Sequence, residues 1–179
     1  CDLADVFTVE EEPCAQAFDL TAETLNCLNA SAIRGDSGWA EKLVAAYELQ
    51  LLTERGYGLS LQRCAHCGQE IGSEAARAGL QFSPAAGGLL CRRCRYAFRD
   101  GIAVSAAVVG AMLALSSVPP GSVHEIALSA PTQAKVRDCL RWNVRYRCER
   151  DLKSASLLAT VRDIEVGTGT SASAAGLRE

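Results

Sequence analysis

Four of the nine cysteines stand in two matching steps: Cys64 and Cys67 in C-A-H-C-G, then Cys91 and Cys94 in C-R-R-C-R, with a 23-residue spacer between them. Thiolates suit zinc, which favours four ligands in a tetrahedron. A C-x2-C step lets one tight turn aim two sulfurs at the same ion, so two such steps complete a closed site. The spacer is slightly longer than the usual zinc-site template, yet short enough for a hairpin that returns the second pair to the first. A thioredoxin-type dithiol needs one C-x-x-C in a βαβ setting, which this sequence does not offer. A disulfide within a C-x2-C pair does not explain why there are two pairs. His66, inside the first pair, is a substitute ligand in principle, but with four cysteines at hand it reads as a solvated turn residue. No H-E-x-x-H and no H-x-E with P-C-x-x-C is present, so the chemistry expected is one structural Zn²⁺ on Cys64, Cys67, Cys91 and Cys94, without catalysis.

The elements that must position these sulfurs follow from periodicity. Ala40, Leu43, Val44, Tyr47 and Leu51 mark one face of an amphipathic helix from Trp39 to Arg55, with Ser37 as N-cap and Gly56 as stop. Gly79 to Ser83 and Gly88 to Leu90 read as two short strands around Pro84-Ala85-Ala86-Gly87. Cys91 to Arg99 turns helical, Gly101 breaks it, and Ile102 to Leu115 reads as a buried apolar helix too short to span a bilayer. Pro119-Pro120-Gly121 reads as a linker. Ser129 caps a last long helix, with Pro131 in its first turn, running to about Arg150 on a buried side of Val136, Leu140 and Val144. Upstream, residues 1–12 suit a short helix or tail, and residues 14–30 carry a moderate helical pattern through Phe18, Leu20, Leu25 and Leu28. Glu74 to Ala78 suits a helical turn or a loop, and the G-T-G-T-S-A-S-A-A-G stretch after Val166 suits disorder.

At 179 residues the chain can bury a real core. A net charge of −3 excludes a uniformly basic nucleic-acid binder. The five cysteines without a pairing pattern fit a reducing cytosol better than a disulfide scaffold. The charge is uneven, however. Residues 1–63 hold 4 basic and 11 acidic residues, net −7, whereas residues 91–153 hold 11 and 5, net +6. Arg92, Arg93, Arg95 and Arg99 surround the second cysteine pair. Arg137, Arg141 and Arg145 recur every four residues along one helix face, followed by Arg147, Arg150 and Lys153. Guanidinium forks suit phosphate, and Tyr96, Phe98, Trp142 and Tyr146 lie among them as stacking or packing groups. The bland alternatives are a solvated face paired with the acidic half, and arginines that neutralise four thiolates by donating to sulfur. No base-reading motif is present, so any DNA contact is expected to be independent of sequence.

From Tyr47 the phrase Y-E-L-Q-L-L-T-E-R-G-Y resembles the bacterial recombination and repair RecO family. The likeness continues through L-S-L-Q-R-C-A-H-C-G and F-S-P-A-A-G-G-L-L-C-R-R-C, and E-R-D-L-K-S-A-S-L at Glu149 to Leu157 resembles the family's closing phrase, with Ala155 where an arginine is usual. Four phrases in the right order make the resemblance specific from about Tyr47 to Leu157. It implies a mainly α fold, a helical bundle with an inserted four-cysteine zinc-finger β-hairpin. The expected domains are an acidic helical lead-in at 1–38, a helical domain at 39–165 with the zinc hairpin at 60–98, and a disordered tail at 166–179. It also implies a non-enzymatic accessory of recombinational repair, cytoplasmic and nucleoid-associated. Such a protein binds single- and double-stranded DNA, anneals strands and helps load recombinase. Its implied partners are a RecR-like mediator, single-stranded-DNA-binding protein and the RecA pathway. The DNA contacts expected are Arg92, Arg93, Arg95, Arg99, Arg137, Arg141, Arg145, Arg147 and Lys153. The OB-fold that precedes this region in the family has no strand pattern before Trp39, and the opening Cys1 suits a fragment with sequence upstream. A redox-sensing zinc protein that releases metal on oxidation, and a zinc-ribbon adaptor without nucleic-acid binding, are the alternatives.

Overall fold

A computed structural model of the chain describes residues 2–7, 14–32, 37–72 and 79–148. The central element is α3 (Ser37–Glu54), flanked by α1 (Asp2–Phe7) and α2 (Ala15–Ala32) on the acidic side. A three-stranded antiparallel sheet follows: β1 (Leu80–Ser83), β2 (Gly88–Leu90) and β3 (Ile102–Val104), in the order β2-β1-β3. Then come α4 (Ala106–Ser117), a 3-10 turn (Pro120–Glu125) and α5 (Ala130–Cys148). The mainly α fold with a small inserted hairpin is as the sequence predicts.

α3 stops where the sequence places its stop. Gly56 takes φ +78°, its N–H bonds Thr53 O at 3.1 Å, and Tyr57 N–H bonds Leu52 O at 2.7 Å. This paired closure uses the left-handed freedom of glycine to satisfy the last carbonyls. The single apolar face expected for α3 is too narrow, because Ala45, Ala46, Leu49 and Leu52 are buried as well. The helix has neighbours on several sides. Leu43, Ala46 and Leu49 enter the main core with Leu80, Phe82, Leu89, Met112, Leu115, Val136 and Leu140. Tyr47, Leu51 and Leu52 enter a second cluster with Leu3, Phe7, Ala17 and Val144. α3 is therefore the shared wall of two cores.

Three sequence expectations change. Ile102–Val104 is a strand, not the start of a helix: Phe82 pairs with Ile102 and Leu80 with Val104. The helix begins only after Ser105, whose Oγ accepts from Val108 N–H at 3.3 Å. The second cysteine step leads to a short 3-10 turn at Arg95–Ala97 rather than a helix to Arg99. The Pro119-Pro120-Gly121 stretch is no linker: Pro120 and Val123 are buried, and Lys42 Nζ of α3 donates to Ile126 O at 2.9 Å. On α2 the helical pattern is borne out, and its apolar residues divide: Leu20 and Leu28 pack against the cores, Phe18 is 72% and Leu25 49% exposed, and Ala17 and Thr24 are buried. The close approach of α2 to α3 takes small side chains, and Thr24 satisfies its hydroxyl on Leu20 O at 2.7 Å. The expectations for Glu74 to Ala78, Arg150, Lys153, the closing phrase and the tail fall outside the described residues.

Candidate metal centre and basic groove

The first cysteine step is a tight knuckle held from three directions. Cys64 N–H donates to Gln69 O at 2.8 Å, Gly68 N–H donates to Cys64 O at 2.9 Å, and Ala65 N–H donates to Leu89 O at 2.8 Å. Gly68, at φ +73°, supplies the left-handed residue that reverses the chain after Cys67. The approach strand lies against β2: Leu89 N–H donates to Ser60 O at 2.8 Å and Ser60 N–H to Gly87 O at 3.0 Å. Gly88 permits this, because a Cβ there falls 2.4 Å from Ser60 O. The second knuckle mirrors the first, with Cys94 and Arg95 N–H both donating to Cys91 O at 3.0 Å.

The hairpin turn between the knuckles is clasped by a residue that no sequence motif flags. Asp100 accepts from Ser83 Oγ at 2.7 Å and from Ala85 N–H at 2.8 Å, and Ser83 Oγ accepts from Ala86 N–H at 3.1 Å. Ser83 is fully buried, so this bond answers a hydroxyl that would otherwise be costly. The signal lay in the S-P-A-A turn, but its partner is 17 residues away.

The four sulfurs converge. Cys64, Cys67, Cys91 and Cys94 place their Sγ atoms within 4.8 Å of one another, with Cys67 and Cys91 Sγ 3.9 Å apart. Zinc–sulfur bonds of about 2.3 Å in a tetrahedron give sulfur–sulfur edges of about 3.8 Å, whereas a disulfide needs about 2.0 Å. These four residues could therefore hold one metal ion.

The thiols also carry charge unevenly. Burial pushes Cys64 up, but backbone hydrogen bonds at Cys91, Cys67 and His66 outweigh it and bring the thiol down to about 6. Burial and the neighbouring sulfurs push Cys94 up to about 12. Four thiolates at one point repel each other, and a cation among them offsets that repulsion. His66 makes an edge contact with Phe98, ring centroids 5.4 Å apart.

The expected arginine contacts separate into groups. Around the knuckles, Arg63 bonds Glu70 at 3.0 Å, Arg93 bonds Gln69 at 2.9 Å, and Arg95 packs on the Tyr96 ring while bonding its hydroxyl. The sulfurs are instead served by backbone, as in Cys91 N–H to Cys64 Sγ at 3.4 Å. Arg92 and Arg99 are exposed. Along α5, Arg137 pairs with Glu41 of α3 at 3.4 Å. Arg147 donates to Asn143 Oδ1 at 3.3 Å and lies over Tyr57, 5.2 Å from the ring centre. Arg141 and Arg145 line an open groove of about 350 Å³ with Trp142, Lys135, Asp138 and Ile102 of β3. None of the knuckle arginines lines it. Lys153 lies outside the described residues.

A helical body with two cores, carrying a sheet that ends in four convergent sulfurs, defines a helical domain with a tetrathiolate insert. The family described as Recombination protein O C terminal matches residues 1–156, and the chain belongs to it. The chain is 34% identical over 163 residues to a DNA repair protein RecO of Roseiflexus, covering 91% of this chain and 54% of that relative. Over 169 residues it is 30% identical to one of Pelotomaculum thermopropionicum, covering 94% of this chain and 61% of the relative. A third, from Rubrobacter xylanophilus, is 34% identical over 149 residues, covering 83% of this chain and 54% of the relative. The chain thus spans roughly half to three-fifths of the length of these relatives. No solved structure matches significantly. Among the described residues no helix is long and apolar enough to cross a membrane.

Proposed function

We propose that the chain is a non-enzymatic accessory domain of recombinational DNA repair, braced by one structural Zn²⁺ and gripping DNA without regard to sequence. The family match over residues 1–156 carries the repair reading. The tetrathiolate donor set supports zinc, because soft, closed, four-sulfur sites suit a structural ion. In this reading Cys64, Cys67, Cys91 and Cys94 hold the two knuckles against β2, and the ion supplies folding energy rather than chemistry.

For DNA, the groove beside β3 supports contacts by Arg141 and Arg145, with Lys135 adding charge and Trp142 offering an aromatic face for an unpaired base. Arg92, Arg93 and Arg99 extend phosphate contacts over the exposed knuckle. Arg95, Arg137 and Arg147 also brace the protein, through the Tyr96 ring, Glu41 and Asn143 respectively. A RecR-like mediator, single-stranded-DNA-binding protein and the RecA pathway complete the proposed setting, in the bacterial cytoplasm at the nucleoid.

The test is the salt dependence of single-stranded oligonucleotide binding by the whole chain. Changing Arg141 and Arg145 together to alanine is expected to weaken binding about tenfold at low salt. It should also make the log–log salt slope shallower by about 1 to 2, two phosphate contacts at ~0.7 each. An unchanged slope removes the groove from the interface. No association by the unaltered chain even at low salt removes DNA from its function.

A further inference from the structure

The four metal-centre sulfurs differ in their surroundings. Cys64 and Cys91 are buried with Leu90 in a small apolar cluster, and Cys94 packs against it together with Ala86 and Phe98. Cys67 is outside that cluster and is exposed. Its Sγ is 3.9 Å from that of Cys91, across the gap between the two knuckles. Cys64, by contrast, is tied by the Cys91 N–H at 3.4 Å, and a hydrogen bond to a thiolate draws on the lone pairs that attack an oxidant.

We propose that Cys67 is a peroxide-modification site that opens the metal centre by forming a Cys67–Cys91 disulfide. This inference rests on the zinc reading above. Hydrogen peroxide meets Cys67 first because it is the most exposed of the four residues. The thiolate sulfur attacks one peroxide oxygen, the O–O bond breaks, and sulfenic acid and hydroxide form. The Cys91 thiolate then attacks the Cys67 sulfur and expels a second hydroxide, which makes the S–S bond. Two thiolates lose two electrons and one peroxide gains them. Zn²⁺ keeps its charge throughout, and with two of four ligands gone it leaves.

The location favours this pair over one within a knuckle. A Cys64–Cys67 bond would have to form inside a turn already fixed by the Cys64–Gln69 and Gly68–Cys64 hydrogen bonds. A Cys67–Cys91 bond needs the two sulfurs to close by roughly 2 Å, from 3.9 Å to disulfide length. It leaves Cys64 and Cys94 as free thiols. The centre would then recover by reduction and reloading, as a reversible switch requires.

The experiment uses the zinc-loaded chain, with zinc per chain counted first. Peroxide is added in steps, released zinc is read with a chromogenic chelator, and differential alkylation with peptide mapping locates the oxidised sulfurs. Expected are one zinc released per peroxide consumed and a first cross-link between Cys67 and Cys91. Cys67→His keeps a four-ligand site of three cysteines and one histidine and is expected to hold zinc but release it at least tenfold more slowly. Cys27→Ser, on α2 and outside the four-sulfur cluster, is expected to release zinc at the unaltered rate. A first cross-link within either knuckle, or equal release from the Cys67→His chain, overturns the inference and leaves the zinc reading intact. A chain purified without zinc, and unable to take it up, overturns the zinc reading itself and the inference with it.

Discussion

On one face of the three-stranded sheet Leu80, Phe82, Leu89 and Val104 enter the same core as α3, α4 and α5. On the other, Cys64, Leu90 and Cys91 make a buried cluster of three, with Ala86, Cys94 and Phe98 packed around it among the described residues. The strands are three or four residues long, below the length at which a hairpin holds itself in water. The helix-facing side is held by side-chain volume. The sulfur-facing side has little apolar area among the described residues, and in the proposed zinc reading four thiolates around a cation would take the place of a core. One sheet thus joins two kinds of stability, and the knuckles should depend on metal in a way that the helices do not.

Removing zinc with a chelator should loosen the sulfur-facing side and leave the helical body in place. Binding at such a site is worth about 10 kcal/mol or more, well above what the three-residue cluster can supply. Amide exchange is expected to rise at least a hundredfold between Leu61 and Ile71 and between Cys91 and Phe98. The far-UV helical signal should hardly change. Loss of the helical signal in step with zinc would show instead that the two sides form a single cooperative unit. Phe82→Ala probes the opposite side. Phe82 is fully buried in the main core and pairs with Leu89 and Ile102, so its truncation is expected to cost about 3 to 5 kcal/mol in urea unfolding. Zinc content below the unfolding transition should stay the same. A drop in zinc content would mean that the core side also sets the sulfur geometry.

The two sides also differ in how far sequence discloses them. The knuckles are local: C-A-H-C-G and C-R-R-C-R each fix a turn within five residues, and the Cys64–Cys94 hairpin is visible from spacing. Gly56 likewise announces the end of α3. The helix-facing side depends on partners far along the chain. The apolar run from Ile102 carries no period that separates strand from helix, and only Ser105, a helix cap, marks the boundary. Phe18 and Leu25 fit a buried face by type, but α2 approaches α3 through Ala17 and Thr24. The arginine stripe reads as uniform, yet Arg137 is engaged by Glu41, 96 positions away, and Arg147 stands over Tyr57. Asp100 needed Ser83 in place before its role could be seen.

The smallest predicted effect sets the two sides against each other in pH. Thiols must lose protons to bind a metal, so in the proposed zinc reading knuckle stability rises with pH. In the helical body, burial alone pushes the Glu48 carboxyl of α3 up from 4.5 to about 7. Its folded pKa is raised, so the folded state holds the proton more tightly than the unfolded chain does. Relative stability is then full below about 4.5 and is lost as pH rises through about 7. Glu48→Gln removes the charge and keeps the shape. It is expected to change nothing at low pH and to stabilise the chain by about 1 to 3 kcal/mol at pH 8, at roughly 1.4 kcal/mol per pKa unit. Urea midpoints of both chains across that range, with zinc saturating throughout, separate the carboxyl from the thiols. An equal gain at both ends of the range would show that the gain comes from side-chain packing and not from charge, and the helical body would then have no pH dependence at Glu48 to oppose that of the knuckles.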